Sequence, residues 1–296
     1  MTTPGQTETP PVPPEPIREC WADRSGRGKL SVTGPQRAWF LHQVLTQAFE
    51  DIAPGEARDS AMITSHGRMT AYLETVATAD AIFCHFEPEL RDTLPETLAR
   101  YVFATQVEIE DVTDDWGLVL TVGDKAHGSV LEKCPGALKH PTGSFGAAAS
   151  YLWVPRTDLD ALLETLRRSE LFEAREVDLE ALRIAEGRPR WGRDMGPKTI
   201  PQEAGIEDRA VHFDKGCYLG QEAMAKIHFR GKVNRRLFRL HSAWALRPGA
   251  DVMSAEGKIG TVTSAVGGRA FALLRYNVEP GSEVHVEDVP ASVTLV

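Results

Sequence analysis

The sequence predicts an α+β protein that ends in a small all-β module. Stretches with the apolar periods of strands and of helices alternate up to about residue 234. After Arg235 the pattern changes to short strands at hairpin spacing, separated by RPGAD, GGR and EPGS. We therefore expect a disordered tail over 1–16, an α+β region over 17–234 and a β-barrel over 235–296.

The first part of the α+β region predicts a strand, a helix and a hairpin. KLSVTGPQRAWFLHQVLTQAF contains a break at Gly34 and Pro35, and then Phe40, Val44 and Ala48 recur at helical spacing. SAMITSHGRMTAYLETVAT predicts a hairpin with its turn at SHGR, and AIFCHF predicts a third strand. The helical stretch PELRDTLPETLARYV follows.

A similar order continues in the second part. VEIEDV, GLVLTVG and YLWVP predict strands, and TDLDALLETLRR predicts a helix with Thr157 as its cap and Asp158 in its first turn. Strand, helix, strands and helix thus occur twice, which indicates two related layers of antiparallel sheet and helix. The polar segment TIPQEAG predicts a binding loop. LFRLHS, KIGTVTSAV, RAFALLRY, SEVHVE and ASVTLV predict a compact barrel of about six strands.

Composition is typical of a globular protein in a reducing compartment. The chain has 296 residues, of which 42% are hydrophobic and 25% charged, and its four cysteines form no C-x-x-C pair. The start is rich in proline, without the basic and apolar regions of a signal peptide. No run reaches the roughly 18 apolar residues of a membrane helix. We expect a cytoplasmic protein without a membrane partner.

The stretch KGCYLGQE, residues 215–222, concentrates unusual residue types. Gly220 indicates a chain reversal, and QEAMAKI predicts a short helix, so Cys217 would lie just before a helix N-terminus. Backbone N–H groups there and the cation of Lys215 would favour the thiolate. The alternative is that Cys217 is a small buried hydrophobic residue in a tight turn.

Basic residues dominate the chain around this thiol. Between Lys215 and Leu240 there are seven basic residues and one acid, Glu222, although the whole chain has a net charge of -9. Such a patch suits a carboxylate or phosphate ligand, and the alternative is a solvated surface. RNA is a third possibility, but no aromatic stacking motif accompanies the arginines, so nucleic acid is not expected as a direct ligand. His212, Cys217 and His228 match no structural zinc spacing, so we expect no metal.

KGCYLGQE resembles the K-G-C-Y/F-x-G-Q-E signature of the YgfZ-type folate-binding proteins. These are relatives of the glycine-cleavage T-protein and of mitochondrial iron–sulfur assembly factors. VTGPQRAWFLHQVLT, MITSHGRM, LRIAEGRPRWGRD and TIPQEAGI are similar to further motifs of the family, so the resemblance extends from about Cys20 to the C-terminus.

The resemblance implies a fold, a ligand and a function. The fold would be a pair of ferredoxin-like units followed by a barrel, as in GcvT, with tetrahydrofolate or a derivative in a central hole. The protein would be an accessory factor for iron–sulfur cluster assembly or repair, and thereby for iron–sulfur-dependent tRNA modification. Its partners would be iron–sulfur proteins or assembly factors, and Cys217 with Lys215 would provide the working thiol. The implied folate contacts are Arg183, Glu186, Gln202, Glu203, Tyr218, Gln221, Glu222, Arg230 and Arg236.

Two departures bear on the alternative, a folate-dependent one-carbon transferase. Aminomethyltransferases have an acidic pair after the hairpin glycine, where this chain has Ala71 and Tyr72. Their R-x-E-A-G glutamate is displaced here by one position, to Glu186. The chain is therefore expected not to be an active aminomethyltransferase.

Overall fold

The computed structural model describes residues 15–126, 128, 134, 136–146, 148–231 and 233–296. Most of the predicted tail, residues 1–14, lies outside the described residues. Lys232 and the side chain of Arg230 also lie outside them, so the expectation that Arg230 contacts folate concerns a side chain that is not described.

The described α+β region alternates strands and helices. Its strands are β1 (Cys20–Asp23), β2 (Gly28–Thr33), β3 (Ala57–Ile63), β4 (Met69–Ala77), β5 (Ala81–Phe86), β6 (Glu108–Asp111), β7 (Trp116–Val122), β8 (Leu138–Pro141), β9 (Ala149–Pro155) and β10 (Phe172–Glu173). Its helices are α1 (Arg37–Val44), α2 (Thr93–Ala99), α3 (Arg156–Arg167), α4 (Glu176–Ala185), α5 (Pro201–Ala204), α6 (Glu207–Ala210) and α7 (Gln221–Arg230).

These strands form two five-stranded sheets. The first has the order β3-β4-β5-β2-β6, and the second has the order β10-β1-β7-β9-β8. All described pairings are antiparallel except that of β1 with β10. The first strand of the chain thus belongs to the second sheet, and the two units are joined by more than one crossing of the chain.

The two sheets pack against each other through aromatic side chains. Phe83 of β5 lies 5.5 Å from Trp116 and 5.3 Å from Trp153, measured between ring centroids. On β4, Leu73 belongs to the core formed with α1 and α2, whereas Val76 belongs to the core of the second sheet. Because successive residues of a strand point to opposite faces, β4 is buried on both faces.

The C-terminal module is a closed barrel. Its strands are β11 (Arg235–His241), β12 (Asp251–Ser254), β13 (Gly257–Val266), β14 (Arg269–Arg275), β15 (Glu283–Val286) and β16 (Val289–Leu295), in the order β11-β14-β13-β12-β15-β16. Helix α4 packs on its outside, where Ile184 contacts Leu237 and Phe271. The prediction of a six-stranded barrel is confirmed.

Local predictions were correct for most elements and wrong in two. The SHGR turn joins β3 to β4, and QEAMAKI lies in α7. Thr157 is not a helix cap, because α3 already begins at Arg156 with Pro155 as its N-cap. TIPQEAG was expected to be a loop. It contains α5, whose four residues are buried, with a proline at the first helical position.

Candidate functional site

A cleft of about 560 Å³ opens where the two sheets meet the segment that follows α4. We call it the central cleft. It is lined by Gln47, Ala48, Asp51, Ala57, Arg58, Asp59, Pro141, Thr142, Gly143, Gly146, Arg188, Arg209 and His212. Small-molecule sites commonly have volumes of about 300–1,000 Å³. The cleft is therefore large enough for a cofactor-sized ligand.

A row of polar side chains crosses the first sheet on the face that meets the second sheet. The strand registers place Asp59 opposite Glu74, Glu74 opposite His85, and His85 opposite Lys29. Directly opposed residues of neighbouring strands lie on the same face. We call these four residues the polar row. Glu74, His85 and Lys29 are buried, and Asp59 is the end of the row that lines the cleft.

Asp59 is held by groups from two elements. Its Oδ2 accepts a hydrogen bond of 2.7 Å from the Tyr72 hydroxyl and lies 3.7 Å from Nη1 of Arg209. Burial and the neighbouring Glu74 raise the pKa of Asp59 to about 6, while Arg209 and the Tyr72 hydrogen bond act in the opposite direction. Asp59 therefore changes charge close to neutral pH.

Arg209, on α6, places a guanidinium group with unused hydrogen-bond donors at the same wall. Its guanidinium lies over the ring of Tyr72 at 5.4 Å. Within the described residues, Nη1 and Nη2 are buried without a hydrogen-bond partner. A Cβ at Gly143 would lie 3.4 Å from Nη1, so the glycine leaves space beside the guanidinium. A buried guanidinium with unused donors favours a ligand with acceptor oxygens.

Deeper inside, Glu87 joins two arginines. It accepts a 2.5 Å hydrogen bond from Arg27 and bonds of 2.9 and 2.8 Å from Arg190. Burial alone would raise its pKa, but the two guanidiniums hold the pKa of Glu87 down at about 2. Glu74 accepts hydrogen bonds from Thr142 and Ser144. These contacts connect the two sheets behind the central cleft.

Two histidines and a tyrosine meet in this interior. Arg27 Nε donates to Nδ1 of His85 at 3.0 Å, which leaves the His85 proton on Nε2. Nδ1 of His140 lies 3.1 Å from the Pro141 carbonyl, which assigns its proton to Nδ1. Both Nε2 atoms and the Tyr151 hydroxyl are buried without a partner in the described residues. Burial lowers the pKa of His140 to about 4 and that of His85 well below its usual value.

The predicted thiol lies outside the central cleft. Cys217 is exposed, whereas Cys20, Cys84 and Cys134 are buried. The interpretation of Cys217 as a buried hydrophobic residue is therefore wrong. It lies in the irregular segment between α6 and α7, four residues before α7 begins.

Lys215 is buried and points toward the segment after α1. Its Nζ donates to the carbonyl oxygens of His42 and Leu45, both at 2.5 Å, and of Gln47 at 2.8 Å. It also lies 4.4 Å from the ring centroid of Tyr218. The three ammonium protons are thus used by backbone carbonyls. This geometry gives Lys215 a structural role, and its action on the Cys217 thiol stays a prediction.

The rest of the motif fixes α7 against the first sheet. Tyr218 is buried in the core of that sheet, and Gln221 begins α7. Glu222 is exposed in the first turn. A Cβ at Gly67, in the turn before β4, would lie 3.4 Å from the Ala223 Cβ. The motif and the hairpin turn therefore pack together, but neither lines the central cleft.

Arg183, an expected folate contact, is fully used by the protein. It donates to Asp194 and Ser264, both at 2.6 Å, to Arg188 O at 3.2 Å, and through two nitrogens to Glu180. These bonds employ all five N–H groups of the guanidinium. Arg183 therefore joins α4 to the barrel and has no donor left for a ligand.

Glu186 lies just behind the rim of the cleft. Its Oε1 accepts a 2.6 Å hydrogen bond from Arg18. A Cβ at Gly146, which lines the cleft, would be 3.0 Å from its Oε2. Glu186 is thus adjacent to the cleft without being among its lining residues.

The remaining expected contacts are distributed around α5 and β11. Glu203 caps α5 by accepting from the Ile200 N–H at 3.3 Å and pairs with Arg235 at 3.5 Å. Gln202 is buried, and neither end of its amide has a partner in the described residues. Arg236 is exposed. The structure does not gather these residues in the central cleft.

The residues that line the inner wall, Asp59 and Arg209, were missed by the sequence analysis. A signal was present for their neighbours, because Glu74 and His85 interrupt apolar strands at positions that face the second sheet. Among the described residues, no group of three or more His, Cys, Asp or Glu side chains is arranged to hold a metal ion. Nor does the described part of the chain contain a helix long and apolar enough to span a membrane.

The fold defines the class of protein. The chain superposes on the glycine cleavage system aminomethyltransferase T of Bartonella henselae with a TM-score of 0.84 and 20% identity, covering 94% of this chain and 85% of the other. Residues 234–296 match the family model of the CAF17 C-terminal β-barrel domain. This is a protein with the GcvT-type arrangement of two sheet units and a barrel.

Sequence relatives identify the family. The chain is 30% identical over 222 residues to the tRNA-modifying protein YgfZ of Enterobacter sp. (strain 638), which covers 68% of this chain and 67% of that protein. The chain belongs to the YgfZ family.

Two further relatives are organellar. The human mitochondrial iron–sulfur cluster assembly factor IBA57 is 25% identical over 84% of this chain and 75% of its own length. A chloroplastic protein of Arabidopsis thaliana is 27% identical over 83% of this chain, which spans only 62% of that protein.

Proposed function

We propose that the chain binds a reduced folate in the central cleft and acts as an accessory protein for iron–sulfur proteins, including those that serve tRNA modification. Two relatives support the second half of the proposal by name, the tRNA-modifying protein YgfZ and the assembly factor IBA57. The resemblance described above supports the folate.

The observation that carries the folate proposal is the chemistry of the cleft wall. A pterin ring presents N–H donors and a carbonyl on one edge, and its glutamate tail carries carboxylates. The wall offers Asp59 as an acceptor and Arg209 as a donor, and Arg58 and Arg188 are further cations of the lining. The cleft volume of about 560 Å³ also suits such a ligand. The residues therefore fit a folate.

In this proposal the chain binds and orients the folate. Asp59 and Arg209 hold the ring, while the lining cations Arg58 and Arg188 attract the tail. Arg235 and Arg239 are less suitable for the tail, because they contact Glu203 and the carbonyls of Ala185 and Leu295. A bound folate would supply the one-carbon carrier.

Cys217 is the functional thiol of the proposal. It is exposed and is held in a segment fixed on both sides, by Lys215 and by the start of α7. An exposed thiol can meet a partner protein or a folate-derived group that a buried thiol cannot reach. The group that reacts with the Cys217 thiol is then supplied by the partner protein or by the folate.

A one-carbon transferase is the second candidate, and the GcvT-type fold favours it. The two residues at the positions of the acidic pair argue against it. Ala71 is buried in the core, and the Tyr72 hydroxyl donates a hydrogen bond to Asp59. A positioned acid or base contributes typically ~10²–10⁴-fold to a rate. Turnover at the rate of a T-protein in a reconstituted glycine-cleavage assay would establish the transferase instead.

Calorimetry tests the folate proposal directly. Tetrahydrofolate and its 5-formyl and 5,10-methylene forms are titrated into the full chain, and at least one is expected to bind with micromolar affinity. Arg209→Met should weaken this binding, while Arg168→Met, at the exposed position that follows α3, serves as the matched control. If none of the three binds at about 1 mM, the folate half of the proposal is wrong.

A separate assay tests the iron–sulfur half. The chain is expressed in a strain that lacks its own YgfZ relative, and the activity of iron–sulfur enzymes is measured. Restored activity is expected. If a well-expressed chain that binds folate does not restore this activity, the accessory role is refuted and the folate half of the proposal stands.

A further inference from the structure

The wall formed by β3 and β4 contains a carboxylate that the proposed ligand needs and that no motif indicates. Asp59 lies at the open end of the polar row and lines the central cleft. The other members of the row are buried, and Glu74 is occupied by Thr142 and Ser144. Asp59 is thus the acid of the row that a ligand can reach.

The contacts of Asp59 leave half of its carboxylate available. The described residues give Oδ2 one hydrogen bond, from Tyr72, and an ion pair with Arg209 at 3.7 Å. No described residue donates to Oδ1. A carboxylate with one oxygen fixed and the other free is oriented to accept an N–H from a ligand.

Gly143 keeps the space beside this pair open. A Cβ built on Gly143 would lie 3.4 Å from Arg209 Nη1 and 3.7 Å from Asp59 Oδ2. The turn that contains it is held by the hydrogen bonds of Thr142 and Ser144 to Glu74. The Asp59 carboxylate and the Arg209 guanidinium therefore lie side by side at the edge of the central cleft, and Gly143 leaves the space next to them open.

We propose that Asp59 is the specificity residue of the central cleft, accepting hydrogen bonds from the 2-amino-4-oxopyrimidine edge of a reduced pterin ring, with Arg209 as its positioning residue. This inference rests on the proposed function and adds the group that selects the ring. Arg209 keeps Asp59 in its ionised form against Glu74, in addition to offering its unused N–H groups to the ring. Tyr72 fixes its orientation.

Binding should then depend on the charge of Asp59. The groups that face it are Glu74 and Tyr72 from β4, Arg209 from α6 and His140 from β8. Burial and Glu74 raise the pKa of Asp59 to about 6, so it loses its charge as the pH falls below that value. A ring that donates N–H groups binds the carboxylate form, and its affinity falls on acidification.

The experiment separates the ring from the tail. Tetrahydrofolate, a tetrahydropterin without the tail, and 4-aminobenzoylglutamate without the ring are titrated calorimetrically into wild type and Asp59→Asn at pH 7.5 and 5.5. Asp59→Asn should weaken tetrahydrofolate and the tetrahydropterin by about 10- to 100-fold at pH 7.5, the range expected for a charge-assisted hydrogen bond. Its binding of 4-aminobenzoylglutamate should be unchanged.

Two further variants distinguish selection from general damage. Asp80→Asn, at an exposed turn between β4 and β5, is the matched control and should bind like wild type. Arg209→Met should move the pH midpoint of ring binding upward, since the carboxylate then lacks its cation. A purely structural role of Arg209 would not move the midpoint. Thermal unfolding of each variant confirms that the chain is folded.

The outcomes separate the two proposals. If wild type binds tetrahydrofolate and Asp59→Asn binds it equally well, the role of Asp59 is refuted and the folate proposal stands. If wild type binds only 4-aminobenzoylglutamate, the cleft selects the tail and Asp59 is again refuted. If wild type binds none of the three, both proposals fall.

Discussion

Gly220 lies so close to Thr64 that a Cβ on the glycine would come within 2.4 Å of the Thr64 carbonyl oxygen. The glycine also has φ of +80°, a conformation that other residues adopt at a cost. The start of α7 can therefore touch the hairpin turn of the first sheet only because residue 220 has no side chain. This contact fixes the segment that carries Cys217.

Gly220→Ala should lower the free energy of unfolding by about 2–4 kcal/mol, because the clash with backbone adds to the strain at positive φ. Gly216→Ala is the matched control within the same motif, since nothing lies within 4 Å of its Cβ position. Chemical denaturation of both variants measures the difference. Equal stability of the two variants would contradict the close contact.

Lys215→Ala should destabilise the fold by about 2–4 kcal/mol. The substitution leaves three backbone carbonyls, those of His42, Leu45 and Gln47, without their shared donor. Lys226→Ala, at an exposed position of α7, is the control. If Lys215→Ala were as stable as wild type but slowed alkylation of Cys217, the role in activating the thiol that the sequence suggested would be favoured instead.

Local features of the fold could be predicted from the sequence, and long-range ones could not. The β3–β4 hairpin, α7 and the barrel strands each depend on residues within one short stretch. The polar row needs the registers of four strands, so its members Asp59 and Lys29 carry no local signal. For the same reason the carbonyl partners of Lys215 could not be predicted, because they lie about 170 positions away in the chain.

Cys217 should be the one cysteine that reacts with iodoacetamide in the folded protein. It is exposed, whereas the other three are buried and burial raises the pKa of Cys20 to about 11 and that of Cys84 to about 12. Mass spectrometry should find one modified cysteine in the native chain and four after unfolding. Modification of a second cysteine at a comparable rate in the native state would contradict the burial.

Cys217→Ser should leave folding and folate affinity near wild type, because exchanging an exposed thiol for a hydroxyl changes stability by about 0.5 kcal/mol or less. If the thiol is the functional group, the variant should nevertheless lose its support of iron–sulfur enzymes in the deletion strain. Cys134→Ser, at a buried position, is the comparison that separates loss of stability from loss of chemistry. Full complementation by Cys217→Ser would refute the functional thiol.

Acidification should destabilise the protein through His85 and His140. Both are neutral in the folded chain, because burial lowers the pKa of His140 to about 4 and that of His85 well below its usual value. In the unfolded chain they take up protons below their usual pKa of about 6.5. The unfolded state then binds more protons, so stability falls as the pH decreases from about 6.5 toward 4.

At pH 5 the loss should be about 2 kcal/mol for each histidine relative to pH 7.5. Asp59 acts in the opposite direction, because its raised pKa lets the folded state bind a proton between about pH 6 and its unfolded value. Urea denaturation across this range should show a steep decline in wild type and a shallower one in His140→Gln. His66→Gln, at an exposed turn, is the control and should follow wild type. If the resonances of His140 titrate near pH 6.5 in the folded protein, its burial as a neutral ring is wrong.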